Sequence, residues 1–184
     1  MKKIILLAFC AAYTSMNAQI SPPSVKNPFT SPQGSKINSR NGTLIEKRTV
    51  DLGKFKTLNI QKIITKDLSD NSAENVLGIM IENETYDHIS KKTLTIEKPE
   101  LSKLIQSLEI VHQKESESKR QDDTKYKFVT MSNIEFGSVF SNNSKKWINY
   151  IKFPASFYSQ DLSEFDKEEL KQLITILKSA EEQL

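Results

Sequence analysis

The clearest pattern of apolar and polar positions occurs twice in the chain, in residues 93–112 and 162–181. When the first copy is shifted by 69 positions, its apolar residues coincide with those of the second. The matching residues are Leu101, Leu104, Ile105, Leu108 and Val111 in the first copy and Leu170, Leu173, Ile174, Leu177 and Ala180 in the second. Apolar residues at this spacing form one stripe along a helix. The sequence therefore predicts two amphipathic helices, each with one buried face.

Strand-like segments precede each helix, because β-branched residues and alternating apolar positions are typical of strands. The predicted strands are residues 43–50, 57–65, 76–82, 93–96, 126–136 and 147–153, with 157–159 as a short edge strand. Residues 51–56 and 67–74 are predicted as turns, and residues 83–92 as a loop. Gly78 inside the third strand indicates a bulge or close packing against a helix.

This order predicts an α+β fold, with an antiparallel sheet built from two strand-rich halves. Each half is closed by an amphipathic helix, and both helices lie on one face of the sheet. Residues 43–184 form a single domain, in which a pseudo-repeat of 43–113 and 126–184 is joined by a charged connector, 114–125. The element order resembles the duplicated units of Whirly-type and TATA-binding-protein-type folds. That resemblance is one of element order alone and implies no function.

The start of the chain has the pattern of an export signal in residues 1–18. Lys2 and Lys3 precede an apolar run, 4–12, that is too short to span a membrane. We expect cleavage before Gln19 and a soluble protein in the periplasm or outside the cell, with no transmembrane anchor. A lipoprotein signal ending at Cys10 is disfavoured, because Phe9 stands where a small residue is required.

The mature chain then has neither a cysteine nor a strong net charge. Loss of Cys10 excludes disulfides and thiolate metal sites. The full chain has 26 Lys+Arg against 23 Asp+Glu, and loss of Lys2 and Lys3 leaves 24 against 23. This balance disfavours a nucleic-acid partner. Residues 19–42 are rich in Pro, Ser and Asn, which predicts a flexible leader or, alternatively, a tether or partner-binding segment anchored by Phe29.

Residues suited to catalysis or metal binding are few. His88 and His112 have no second ligand at a metal-binding spacing, and Asp67, Asp70, Asn71 and Glu74 do not follow the calcium-loop pattern. The sequence contains no hydrolase, phosphate-binding or dinucleotide motif. We therefore predict no catalytic or metal-binding residues and no cofactor. The alternative is a cell-envelope hydrolase with dispersed carboxylates, such as Glu135 and Asp161.

The most informative stretch is 147–158, which has five aromatic residues in twelve. On a strand, Trp147 and Phe153 share the core face, whereas Tyr150 and Lys152 lie on the opposite face. Tyr150, Lys152 and Tyr158 are the candidate surface for a ligand or partner, since aromatic and cationic groups bind sugars, peptides and anions. The alternative is an ordinary sheet surface. The leading hypothesis is a non-enzymatic binding or protein-interaction module that uses an exposed sheet face or edge, with a protein, peptide or glycan of the cell envelope as its partner.

Overall fold

The computed structural model describes residue 37 and residues 40–85, 88–117, 122–154 and 162–184. The first half contains β1 (Ile45–Phe55), β2 (Leu58–Asp67), β3 (Ala73–Thr85), β4 (His88–Ile96) and α1 (Lys98–Ser116). The second half contains β5 (Thr124–Val129), β6 (Glu135–Ser141), β7 (Lys146–Lys152), β8 (Leu162–Phe165) and α2 (Lys167–Gln183). The α+β prediction is confirmed: antiparallel strands come first in each half and a helix follows them.

The strands form two four-stranded sheets, which we call sheet 1 (β1–β4) and sheet 2 (β5–β8). In each sheet the spatial order is the chain order, so consecutive strands are joined as antiparallel hairpins. Of residues 83–92, predicted as a loop, 83–85 belong instead to β3 and 88–92 to β4, and Thr85 pairs with His88. This segment has few apolar residues, so its sequence lacks the alternation of apolar and polar positions that predicts a strand.

Two glycines of sheet 1 have different structural roles. The turn predicted for 51–56 begins later than expected, because β1 continues to Phe55 with a shift of register between Asp51 and Gly53, and only Lys56 of this segment lies in the turn. Gly78 lies in an uninterrupted part of β3, and a Cβ at this position would stand 2.7 Å from Cδ1 of Ile63. The close packing predicted at Gly78 therefore involves a side chain of the neighbouring strand rather than a helix.

Both helices begin where the sequence predicts. Pro99 occupies the first turn of α1, where its missing N–H is not needed. Asp166 caps α2 in a reciprocal arrangement with Glu169. The backbone N–H of Glu169 donates to Asp166 Oδ1 at 2.9 Å, and the N–H of Asp166 donates to Glu169 Oε2 at 2.9 Å.

The two helices lie antiparallel to each other and share one core. The start of α1 meets the end of α2 through a hydrogen bond between Ser102 and Glu181, and the other ends meet where Lys167 Nζ donates to Ser116 Oγ at 2.8 Å. A single hydrophobic cluster contains the buried stripes of both helices and the inner faces of both sheets. Among the described helices, none is long and apolar enough to cross a membrane.

The sheets also contact each other directly. Phe55 at the end of β1 packs edge-to-face against Phe165 of β8, with ring centroids 5.2 Å apart. Lys56 Nζ donates to the carbonyl of Glu164 at 2.7 Å, and Ser132 Oγ donates to the carbonyl of Thr95 at 2.5 Å. The two halves of the described chain therefore form one packed unit.

Truncation of a single core residue tests this shared core. Leu173→Ala leaves a cavity beneath α2, and we expect the free energy of unfolding to fall by about 2–5 kcal/mol. Because the core is common to both halves, fluorescence and circular dichroism should report one coincident transition. Lys171→Ala, at an exposed position of the same helix, is the control. A variant in which one half unfolds before the other would contradict the shared core.

Candidate binding face of the second sheet

Sheet 2 has an inner face, which packs against the helices, and an outer face. Side chains alternate between the faces along each strand, and cross-strand partners share a face. Glu135 pairs with Lys152 and Gly137 with Tyr150, so these residues lie on the outer face. We define this outer face by the following side-chain positions: Lys125, Lys127, Val129, Glu135, Gly137, Val139, Ser141, Lys146, Ile148, Tyr150, Lys152, Leu162 and Glu164.

The structure places two of the three predicted site residues on this face. Lys152 is exposed there. Tyr150 is on the same face, but only 7% of its surface is accessible, so its ring forms part of the floor of the face rather than projecting from it. Tyr158 lies outside the described residues, as does Asp161 of the hydrolase alternative.

The Tyr150 ring lies across Gly137 on the neighbouring strand, which buries one side of the ring. A Cβ at position 137 would overlap Cζ and the hydroxyl oxygen of Tyr150. Glycine is therefore required at this position by close approach, not by an unusual backbone angle. A glycine inside a strand, such as Gly137, indicates close approach by a neighbouring group. Only the register of β6 and β7 shows that this group is Tyr150.

A polar cluster surrounds the Tyr150 hydroxyl. The hydroxyl donates to Glu135 Oε1 at 2.5 Å, and Lys125 Nζ lies 3.3 Å from the same oxygen and 5.3 Å from the centroid of the Tyr150 ring. The hydrogen bond from Tyr150 lowers the pKa of Glu135 below its ordinary value, and Lys125 lowers it further. Burial raises the pKa of Tyr150, and the bond to Glu135 adds to that rise. At neutral pH the cluster is thus a neutral phenol between a carboxylate and an ammonium group.

These groups do not have the pKa pattern of an acid–base pair. General acid catalysis by a carboxyl group needs a raised pKa, with a second carboxylate that stays ionised. Among the described residues, the carboxyl groups with a resolved shift (Asp67, Asp70, Glu135 and Glu169) all have a lowered pKa. In the same part of the chain, no group of three His, Cys, Asp or Glu side chains is arranged to hold a metal ion.

The outer face combines lysines with exposed apolar side chains. Val129, Ile148 and Leu162 are 48%, 44% and 50% exposed. Four lysines and two glutamates lie on the same face, which makes it locally cationic. The helices cover the inner face, and within the described ranges no helix covers the outer one.

The inner face of β7 matches the prediction for its apolar residues. Ile151 and Phe153 are buried, and Trp147 stacks on Tyr126 with ring centroids 5.9 Å apart. Asn149 on this face is also buried, yet its amide nitrogen and oxygen have no hydrogen-bond partner in the described part of the chain. Its cross-strand neighbour Ser138 donates to Glu115 Oε1 at 3.0 Å. Sequence reasoning missed this polar contact between α1 and the sheet.

The acidic turn between β2 and β3 forms an ion-pair cluster with Arg40. Arg40 Nη1 lies 3.0 Å from Asp67 Oδ2 and 2.6 Å from Asp70 Oδ2. Hydrogen bonds from Ser72, followed by that from Arg40, lower the pKa of Asp70 to about 2. Ile37 is buried, and its N–H donates to Glu74 at 3.4 Å. Two residues of the predicted leader, Ile37 and Arg40, therefore contact the folded domain.

The fit between Tyr150 and Gly137 can be tested by adding one methyl group. Gly137→Ala forces the Tyr150 ring to move, and we expect the free energy of unfolding to fall by about 1–3 kcal/mol in chemical denaturation. Gly53→Ala is the control, since a Cβ there would meet Ile176 at an ordinary 3.5 Å. The cost of Gly137→Ala should shrink when Tyr150 is replaced by Leu. An equal cost in both backgrounds would disprove the clash.

The Asp70 cluster predicts a contribution to stability at acidic pH. Because the folded-state pKa of Asp70 is about 2, below its ordinary value of 3.8, the stabilisation is present above pH 3.8 and is lost as the pH falls towards 2. Asp70→Asn should therefore flatten the decline of unfolding free energy across this window. Asp122→Asn is the control, because the exposed Asp122 side chain has no hydrogen-bond or ion-pair partner among the described residues. Equal slopes for the two variants would contradict the prediction.

Comparisons with known proteins give no information about this surface. No protein-family model, curated protein or solved structure matches the chain. The fold and the candidate face are therefore inferred from the sequence and the structure of this protein alone.

Proposed function

We propose that the protein is an exported, non-enzymatic binding or protein-interaction module that uses the outer face of sheet 2. The observation that carries this proposal is the coexistence of exposed apolar side chains and lysines on a sheet face opposite the helices. Exposed apolar groups gain free energy when a partner covers them, and the lysines favour a partner with negative charge.

The proposed centre of the face is the end of β7. Ile148 is exposed on one side of the Tyr150 ring, and Lys152 lies on the other side, opposite Leu162 of β8. Contacts with Gly137 and Glu135 fix the position of the Tyr150 ring. Partner binding therefore costs little conformational entropy at this side chain. Tyr158, seven residues after Ile151 in the chain, is the third proposed residue of the surface.

The setting in which this face acts is proposed from the start of the chain. The basic residues and short apolar run of 1–18 are those of an export signal. The partner is accordingly a protein, peptide or glycan of the cell envelope. The lysines of the face favour a partner that is acidic or amphipathic.

Substitutions on the face give a direct test. We expect Ile148→Glu and Lys152→Glu each to weaken retention of the partner from envelope extracts of the native cell at least fivefold, since each places negative charge in the contact. Tyr158→Ala tests the third residue in the same assay. The bound material is identified by mass spectrometry and its affinity is measured by titration with the purified component.

A matched control separates this face from general surface hydrophobicity. Leu44 is 70% exposed and precedes β1 in sheet 1, so Leu44→Glu should leave retention unchanged. Circular dichroism checks that every variant is folded. Retention of the same partner by Ile148→Glu and Lys152→Glu would remove the outer face from the proposal.

A further inference from the structure

The β5 edge of sheet 2, which no described strand covers, adjoins a small apolar cavity. Strand β5 lies at the end of the sheet and, among the described strands, pairs only with β6. One row of its backbone N–H and C=O groups therefore faces away from the sheet, which is the arrangement that accepts an added strand. The six residues of β5 are enough to pair with a short extended segment.

The cavity lies between β5 and the second half of α1 and has a volume of about 190 Å³. Its lining includes Tyr126 and Phe128 on the inner face of β5 and Ser107, Ile110 and Val111 on α1. Ile110 is 57% exposed, so this lining adds apolar surface beside the edge. Sites for drug-sized ligands measure roughly 300–1,000 Å³. A cavity smaller than that range suits one apolar side chain rather than a whole small molecule.

The two faces of β5 determine which side chains of an added strand would be complementary to it. A residue opposite Tyr126 or Phe128 would share the inner face and lie beside the cavity, whereas its neighbours would lie beside Lys125 and Lys127 on the outer face. Lys125 already contacts Glu135, and Lys127 is exposed. A carboxylate opposite Lys127 would provide the complementary charge.

We propose that the β5 edge binds an extended peptide segment in which apolar residues alternate with aspartate or glutamate. The backbone of the segment continues sheet 2, an apolar side chain occupies the cavity, and the acidic side chains meet Lys125 and Lys127. The inference goes beyond the partner of the β7 surface, because it needs neither Ile148 nor Lys152.

The probe is a capped seven-residue peptide with aspartates at its second, fourth and sixth positions, leucines at its third and fifth, and threonine at each end. In a titration of the purified protein followed by ¹⁵N–¹H NMR, we expect the amide signals of β5 and of residues 107–111 to shift. A peptide with lysine in place of aspartate should bind at least fivefold more weakly, because like charges would then face Lys125 and Lys127.

Two variants target the two parts of the edge site separately. Ser107→Trp fills the cavity and Lys127→Glu reverses the outer charge, and each should weaken binding of the aspartate peptide about fivefold or more. Ile148→Glu is the matched control and should leave peptide affinity unchanged, so failure at this edge is distinguishable from failure of the β7 surface. No shift at millimolar peptide, shifts away from β5 and α1, or unchanged affinity in both variants would overturn the proposal.

Discussion

The whole structure depends on the burial of two helical stripes against both sheets at once. Leu101, Leu104 and Leu108 of α1 and Leu173 and Leu177 of α2 belong to one hydrophobic cluster with the inner faces of the sheets. A sheet of four strands exposes one apolar face unless another element covers it. Because α1 and α2 also contact each other, neither half can be removed without exposing the core of the other. The two similar halves are therefore parts of one packed unit.

This one-sided burial produces the outer face of sheet 2. With both helices on the inner side, the alternate residues of β5 to β8 point outwards and need not be apolar. The face is nevertheless mixed, with Ile148 and Leu162 exposed among lysines. Tyr150 is the exception, since its ring covers Gly137 and its hydroxyl binds Glu135. The same alternation gives the edge strand β5 its apolar inner side and its cationic outer side.

Polar contacts fix the ends of the elements to this core. Asp166 and Glu169 satisfy each other's backbone groups at the start of α2, and Lys56 joins both Glu169 and the carbonyl of Glu164. Arg40 draws the chain before β1 onto the acidic turn after β2. These contacts are local or partly exposed, so each contributes modestly to stability. The Asp166–Glu169 pair also marks where α2 begins.

The sequence alone determined the elements whose signal is repeated over several turns or pairs. The stripes of α1 and α2, the Asp166 cap and the inward side of β7 follow from spacing, because a periodic pattern is a local property. Only the inner parts of β3 and β4 have a strand signal, in 76–82 and 93–96. Their outer parts lack a periodic apolar pattern, although they pair in a regular register. The sequence placed Tyr150 on the correct face but could not reveal its burial, since this requires the register that brings Gly137 opposite it.

Only the tertiary structure decided which distant groups meet. The strands divide into two sheets, and Glu135, Lys125 and Tyr150 come together from three different strands. Ser138 reaches Glu115 across the interface between a sheet and a helix, and Arg40, which precedes β1, reaches Asp67 at the end of β2. The cavity beside β5 likewise exists only when α1 is placed over the edge of sheet 2. Each of these depends on strand register and on how α1 packs, which are set by the shared core and not by any local run of residues.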